Sequence, residues 1–338
     1  MTVRIGIVIP VRNRWRYTQA ILQQLGEQSS QVTVSVSVIV VDDGSGDGTP
    51  ERIEQAFPEV HLLRGDGELW WTGAISLGMD YARQKLGVSH LVWLNDDITL
   101  ADDCVAQLVQ CCQQQEGKTL TGGIVRDRQS PNWIVFGGVV AGRPISHFRQ
   151  FAEQLVQQVD TLNGNLVVLP AEIMAEIGLP DAARFRHYGG DYEYICRAKA
   201  KGYRVQLSSR LQATTDYCPA DVFRYMPLWI QWYASASFQA KRQVLKSLSS
   251  CKSPHNVDHM VNSMYRNAVR IPRWRHGLFY GKKVLKLVGS TLVPRGIRRD
   301  RAWAYLKSQN VPDEIIRVVL KENSATGYAQ DPVKAISV

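Results

Sequence analysis

Hydrophobic and polar positions in the first half of the chain switch repeatedly between two periods. Arg4 to Ile9 is a short apolar run ended by Pro10, and a helix-like stretch follows over Trp15 to Gln28. Val34 to Val41 is rich in β-branched residues and stops at Asp42-Asp43-Gly44-Ser45, a turn composition. Pro50 to Ala56 reads as a short helix, Val60 to Leu63 as a strand and Thr72 to Lys85 as a helix. Ser89 to Leu94 reads as a strand broken by Asn95-Asp96-Asp97, and Leu100 to Gln114 as a helix with a cap at its acidic start. Strands separated by helices of this length predict an α/β fold, a mainly parallel sheet with helices on both faces.

After residue 118 the pattern loosens. Leu120 to Val125 and Asn132 to Val140 read as strands, and Asn163 to Leu169 alternates before Pro170, which is placed to open a helix through Ile177. Asp191 to Lys201 reads as a helix closed by Gly202, and Tyr203 to Leu207 as a strand. From about residue 222 the chain is aromatic, basic and mostly helical. These shifts predict a catalytic-type α/β domain over 1–220, a helical region over 221–322 and a loose tail over 323–338. No internal repeat or low-complexity tract is seen.

Composition adds limits. Of the 338 residues, 45% are apolar and 21% charged, as in a folded protein rather than a disordered one. No stretch approaches about 18 apolar residues without charge, so no spanning helix is expected. The start runs directly into a strand-like pattern, so no signal peptide is expected. Cys104, Cys111, Cys112, Cys196, Cys218 and Cys251 lack disulfide-scaffold or zinc spacing, so free thiols in a reducing cytoplasm are the expectation. The net charge of +9 is segregated. Residues 221–310 hold 17 Lys and Arg against Asp221, Asp258 and Asp300, a balance of +14, which leaves −5 elsewhere. That field implies an anionic partner, unless the face is merely solvated.

The acidic turns carry the candidate chemistry. In open α/β sheets ligands bind beyond the carboxyl ends of the strands. Asp42-Asp43 and Asp96-Asp97 both fall there. Each alone is an ordinary polar turn; two on one rim suit a phosphorylated, hydroxyl-rich ligand and a bound Mg²⁺ or Mn²⁺. The residues after the first strand are Pro10-Val11-Arg12-Asn13-Arg14, not G-x-G-x-x-G, and neither G-x-x-x-x-G-K-[ST] nor G-x-S-x-G occurs.

Taken in order, these marks resemble family 2 of the inverting glycosyltransferases. They are Ile9-Pro10 with Asn13, then Val41-Asp42-Asp43-Gly44-Ser45 with Asp47-Gly48-Thr49, the Gly73, Ala74 and Gly78 segment, Asn95-Asp96-Asp97, and Gly190-Asp191-Tyr192-Glu193 with Arg197 and Gly202-Tyr203. Gly67 to Gly78, with Trp70-Trp71, is similar to the bacterial rhamnosyltransferase-like branch. The resemblance implies a GT-A nucleotide-sugar-binding fold with a mixed, mainly parallel central sheet and a mostly helical C-terminal extension. It implies that Pro10, Asn13, Asp42, Asp43, Gly73, Asp96 and Arg197 surround the donor. Asp97 would bind the metal and Asp191 would be the catalytic base. Three positions depart from the pattern: Asn95 replaces the first Asp of the triplet, Gly190 replaces the Glu that usually precedes the base, and Asp216 stands near a place where relatives often carry a metal-holding His.

The implied reaction is transfer of a hexosyl or deoxyhexosyl group from a dTDP-, UDP- or GDP-sugar to a hydroxyl of a glycan or lipid-linked acceptor. Trp70 and Trp71 either stack on sugar or pack in the core. His187, Tyr188 and Glu193 are candidates for the acceptor cleft; for Arg197 an ion pair with Glu193 four residues earlier competes with diphosphate contact. Trp229, Trp232, Tyr233, Arg266, Arg270, Arg273, Trp274, Arg275, Phe279, Tyr280, Lys282, Lys283 and Lys286 interleave rings with cations. Such a surface suits peripheral contact with the anionic inner face of a membrane, and no nucleic-acid partner is expected since the usual recognition motifs are absent. The alternatives are a nucleotidyltransferase making sugar nucleotides and a non-catalytic carbohydrate-binding protein.

Overall fold

The apolar runs of the first half pair into one mixed sheet. A computed structural model describes residues 2–114, 117–265 and 271–321. The predicted 323–338 tail and the cations Arg266 and Arg270 lie outside the described residues. The chain divides into two compact units, one ending at Asp216 and one beginning at Tyr217.

The first unit contains strands β1 (Arg4–Val11), β2 (Ser35–Asp42), β3 (His61–Arg64), β4 (His90–Leu94), β5 (Thr119–Asp127), β6 (Val156–Gln158), β7 (Leu166–Pro170) and β8 (Arg204–Thr215). Their order across the main sheet is β6-β8-β5-β7-β4-β1-β2-β3. β3, β2, β1 and β4 run parallel, with Ile9 opposite Val40 and Val8 opposite Trp93. β7 is antiparallel to both β4 and β5, and β8 runs parallel to β5. This is the mixed, largely parallel sheet that the βα alternation predicts.

Helices α1 (Trp15–Ser29), α2 (Thr49–Ala56), α3 (Trp70–Tyr81), α4 (Cys104–Gln114) and α5 (Gly190–Ala200) belong to the same unit. Successive side chains of a strand point to opposite faces, and both faces of the central strands are buried. On β1, Val8 joins a core with Trp71, Ile75 and Met79 of α3, Trp93 and Tyr194. Ile7 and Ile9 join the other core, with Ile21 and Leu25 of α1 and Leu108 of α4. That is why Arg4 to Ile9 reads as a continuous apolar run rather than an alternating one.

Four elements differ from the sequence reading. Thr99–Leu100 pairs with Ala213 and Thr214 as a short strand, so α4 begins only at Cys104. Pro170 ends β7, and the helical turn that follows it spans Ile173–Ile177. Asn132 to Val140 is two strands, Ile134–Phe136 and Gly138–Val140, interrupted at Gly137. β8 continues past Leu207 through the polar Ser208-Ser209-Arg210, where its register against β5 shifts. A bulge makes room for the residues that hide the period.

The second unit contains α6 (Pro219–Tyr225), α7 (Leu228–Ala234), α8 (Phe238–Ser247), α9 (Val257–Met264), α10 (Arg273–Ser290), α11 (Arg295–Ser308) and α12 (Asp313–Lys321). It has its own core, built on Leu228, Trp232, Val244, Leu248, Val257, Val261 and Leu287. Among the described residues no helix is long and apolar enough to cross a membrane.

Candidate active site

The carboxyl ends of β1, β2 and β4 share one rim, because these strands are parallel neighbours. Chain order reverses there: β1 is followed by β2 on one side and paired with β4 on the other, the crevice where α/β sheets take ligands. Pro10 lies near the end of β1, opposite Val41. Asp42 closes β2 and is buried, with 1% of its surface exposed. Its Oδ1 accepts from the Ser45 amide at 2.9 Å, while its Oδ2 is buried without a hydrogen-bond partner among the described residues. An orphaned buried acceptor is costly, so a ligand donor is the natural partner. Asn13, at φ +54°, ties the β1 loop to this turn: its amide donates to Ser45 Oγ at 2.7 Å, and its Oδ1 accepts from the Gly46 amide at 2.8 Å.

Asp43 is used differently. Its Oδ1 accepts from the amides of Gly67 and Leu69, and its Oδ2 from the amide of Trp70 at 2.8 Å. The carboxylate therefore anchors the loop that leads into α3. It also holds Trp70 at φ +56°, a conformation rare for a bulky side chain and typical of functional loops. Gly73 lies on the first turns of that helix, packed against Leu69.

In the acidic triplet each residue has a separate environment. Asn95 Oδ1 accepts from Trp71 Nε1 at 3.0 Å, and its Nδ2 donates to Asn165 Oδ1 at 2.6 Å. Asp96 is buried and accepts from Thr18 Oγ1 at 3.1 Å. Burial pushes its carboxyl up to about 7 against the pull of Arg14, and the Asp97 charge adds to the rise. Asp97 is 42% exposed. Arg14 spans both acids, with Nε 3.3 Å from Asp96 and Nη2 3.0 Å from Asp97.

Asp191 sits in the first turn of α5. Its Oδ2 accepts from the Gly164 amide at 2.8 Å and its Oδ1 from the Tyr192 amide at 2.8 Å. It makes no ion pair among the described residues. Burial therefore pushes its carboxyl up to about 6, and the two amides only partly offset this. Two glycines make the corner possible. A Cβ on Gly164 would lie 2.6 Å from the Trp71 ring and 3.1 Å from Asp191 Cβ. A Cβ on Gly190 would lie 2.2 Å from Thr72 Oγ1, so Thr72 of α3 occupies the space a side chain at 190 would need.

The remaining candidates divide. Trp70 and His187 meet edge to face at 6.1 Å, and Tyr188 lies 6.3 Å from Tyr192, between centroids. Trp71 is a core residue, edge-on to Trp93 at 5.7 Å. Arg197 forms a two-point ion pair with Glu193 at 2.9 and 3.0 Å and donates to the carbonyls of Ile177 and Leu179. Its donors are spent inside the fold. Asp216 is 73% exposed and pairs with Arg128 at 3.0 Å, while the adjacent Thr215 donates to the Asp97 carbonyl at 3.0 Å.

Among the described residues no group of three or more His, Cys, Asp or Glu could hold a metal by itself. The half-exposed Asp97 carboxylate nonetheless suits a hard divalent ion that takes its other ligands from a diphosphate and water. None of Arg14, Thr18, Gly164 and Asn165 is a candidate site residue in the sequence reading. Arg14 alone had a signal, as a cation in the turn after β1 of a sheet whose rim carries paired acids.

Residues 6–161 match the family model Glycosyl transferase family 2. A glycosyltransferase of Synechocystis, itself uncharacterized, is 25% identical over 140 residues, 40% of this chain and 41% of that protein. An undecaprenyl-phosphate 4-deoxy-4-formamido-L-arabinose transferase of Aeromonas hydrophila is 28% identical over 137 residues, 38% of this chain and 39% of that protein. The chain thus matches about two fifths of the length of these curated relatives. Among solved structures, the mannosyltransferase PcManGT of Pyrobaculum calidifontis with GDP-Man and Mn²⁺ is 14% identical at TM-score 0.51, covering 96% of this chain and 85% of that one. GalNAc-T7 with UDP, GalNAc and Mn²⁺ is also 14% identical, at TM-score 0.50, covering 64% of this chain and 44% of that one. The fold is GT-A-like, and residues 6–161 are similar to family 2 glycosyltransferases.

Proposed function

We propose that the chain is an inverting glycosyltransferase that moves a sugar from a nucleoside-diphosphate donor to an acceptor hydroxyl. The observation that carries this reading is a continuous connection between two sites far apart in sequence. Asp191 is held by Gly164, Gly164 packs on Trp71, and Trp71 donates to Asn95, which opens the acidic triplet. One indole thereby links the proposed base to the acidic rim.

Asp42 would take the nucleoside through its unpartnered Oδ2, with Asn13 fixing the turn around it. Asp96 and Asp97 would face the sugar and diphosphate, with Arg14 holding the two acids together. Asp43, Glu193 and Arg197 are supporting residues in this scheme, since their polar atoms are bonded within the fold. Asp97 would hold Mg²⁺ or Mn²⁺, which would supply positive charge against the departing diphosphate; the two similar solved structures contain Mn²⁺ together with UDP or GDP-Man.

Asp191 takes the proton of the acceptor hydroxyl as its oxygen attacks the anomeric carbon. The new C–O bond forms on the face opposite the bond that breaks to the diphosphate oxygen, so configuration inverts and the nucleoside diphosphate leaves. A carboxyl near 6 is ionised at neutral pH yet basic enough to accept that proton. Trp70 and His187 would line the sugar side, where a deoxyhexose of the rhamnose kind is the finer expectation. A lipid-linked acceptor is supported by the undecaprenyl-phosphate relative.

The test is a screen of dTDP-, UDP- and GDP-sugars with Mg²⁺ or Mn²⁺, reading thermal stabilisation and release of nucleoside diphosphate. Turnover lost in Asp191→Asn with donor stabilisation retained supports the assignment. Full turnover in both Asp191→Asn and Asp97→Asn would sink it.

A further inference from the structure

Helix α10 is apolar on two opposite faces, and only one of them is covered. Phe279, Val284 and Leu287 face the core of the second unit, against α7 and α9. At about 100° per residue, Trp274, Leu278, Leu285 and Val288 fall within roughly 40° of a single line on the opposite side. All four are exposed, Trp274 at 64% and Leu285 at 73%, and Leu292 extends the line just past the helix end at 87%. From Trp274 to Val288 the row is about 21 Å long at 1.5 Å per residue. A one-faced surface helix would place polar residues there.

The charges beside the row are all of one sign. Arg275, Lys282 and Lys286 lie along one flank, and α10 contains five Lys and Arg with no Asp or Glu. Arg275 stacks on Trp274 and Tyr265, with its Cζ 5.5 and 4.6 Å from the ring centroids. We infer that the outward face of α10 docks on an anionic lipid surface, its apolar row in the headgroup–acyl boundary and its flanking cations among the phosphates. A second copy of this face is disfavoured by the same charge, which is +14 over residues 221–310. A nucleic acid offers nothing to cover the aliphatic Leu278, Leu285 and Val288. The docking stands on α10; only its purpose, meeting a lipid-linked acceptor, rests on the transferase reading.

The full chain is sedimented with phosphatidylcholine vesicles containing about one third phosphatidylglycerol, and with phosphatidylcholine alone. The anionic vesicles should retain it at least about tenfold better. Leu278→Glu/Leu285→Glu and, separately, Lys282→Glu/Lys286→Glu should each lower that retention about tenfold or more, with melting temperature and donor stabilisation unchanged. No retention of the full chain, equal retention of both variants, or a dimer that Leu278→Glu/Leu285→Glu splits into monomers overturns the docking. Vesicle binding without any nucleotide-sugar binding would refute the transferase reading and leave the docking standing.

Discussion

The acidic rim and the Asp191 corner hold the same functional group in opposite settings. On the rim Arg14 reaches both Asp96 and Asp97, and three amides saturate Asp43. In the corner Asp191 has two amides and, among the described residues, no ion pair. Burial raises a carboxyl in both places, Asp96 to about 7 and Asp191 to about 6, but Arg14 opposes the rise on the rim whereas only backbone amides oppose it in the corner. In the proposed function the rim would take the donor and the corner would exchange the acceptor proton.

The largest expected effect breaks the corner alone. Asp191→Asn should lower turnover about 10²- to 10⁴-fold while donor affinity changes little, measured by single-turnover kinetics and calorimetry. In the wild type, kcat/KM should fall about tenfold per pH unit below about 6 and level off above it. On the rim, Asp97→Asn or chelation of divalent ions should cost about 10²- to 10³-fold, and here Mn²⁺ affinity should fall with it. Asp42→Asn should act mainly on the donor, raising its KM roughly tenfold with kcat nearly unchanged, as loss of one buried charged acceptor implies. If it lowers kcat as strongly as Asp191→Asn, the division between the regions fails.

Two smaller effects concern how the corner is built. Gly190→Ala should destabilise by about 1–3 kcal/mol in denaturant titrations, and adding Thr72→Ala should restore part of that, since the clash is with Thr72 Oγ1. Equal losses in the single and double variants would deny the contact. Asp191 also leaves a signature in stability. Its folded carboxyl is raised to about 6 from an ordinary 3.8, so the native chain keeps a proton that the unfolded chain has lost. Stability from this group is present below about 4 and declines as pH rises through about 6. The melting temperature of Asp191→Asn relative to wild type should therefore climb between about pH 4 and 6 and level off above about 7, by on the order of 5 °C in all. A gap independent of pH would mean that Asp191 is not raised.

Much of the first unit was legible because its buried strands are continuous apolar runs ending in turns. β1, β2 and β4 and the acids beyond them follow from that pattern. β8 was legible only to Leu207, since its bulge interrupts the period. The site was legible by kind of residue rather than by role. Asp42 and Asp43 look alike in sequence, and only the amides of Gly67, Leu69 and Trp70 separate them. Trp70 and Trp71 were equivalent until the helix carried one into the core and left the other beside His187.

What the sequence determined by itself was local: where strands end, which turns are acidic, where glycines permit close approach and where positive charge accumulates. These follow from side-chain period and composition, which need no partner. The tertiary structure alone decided which acids meet a cation. Arg14 lies 82 positions from Asp96, and Gly164 lies 27 from Asp191. Ionisation and hydrogen bonding depend on atoms within a few ångströms, and sheet order, not sequence distance, sets who those neighbours are.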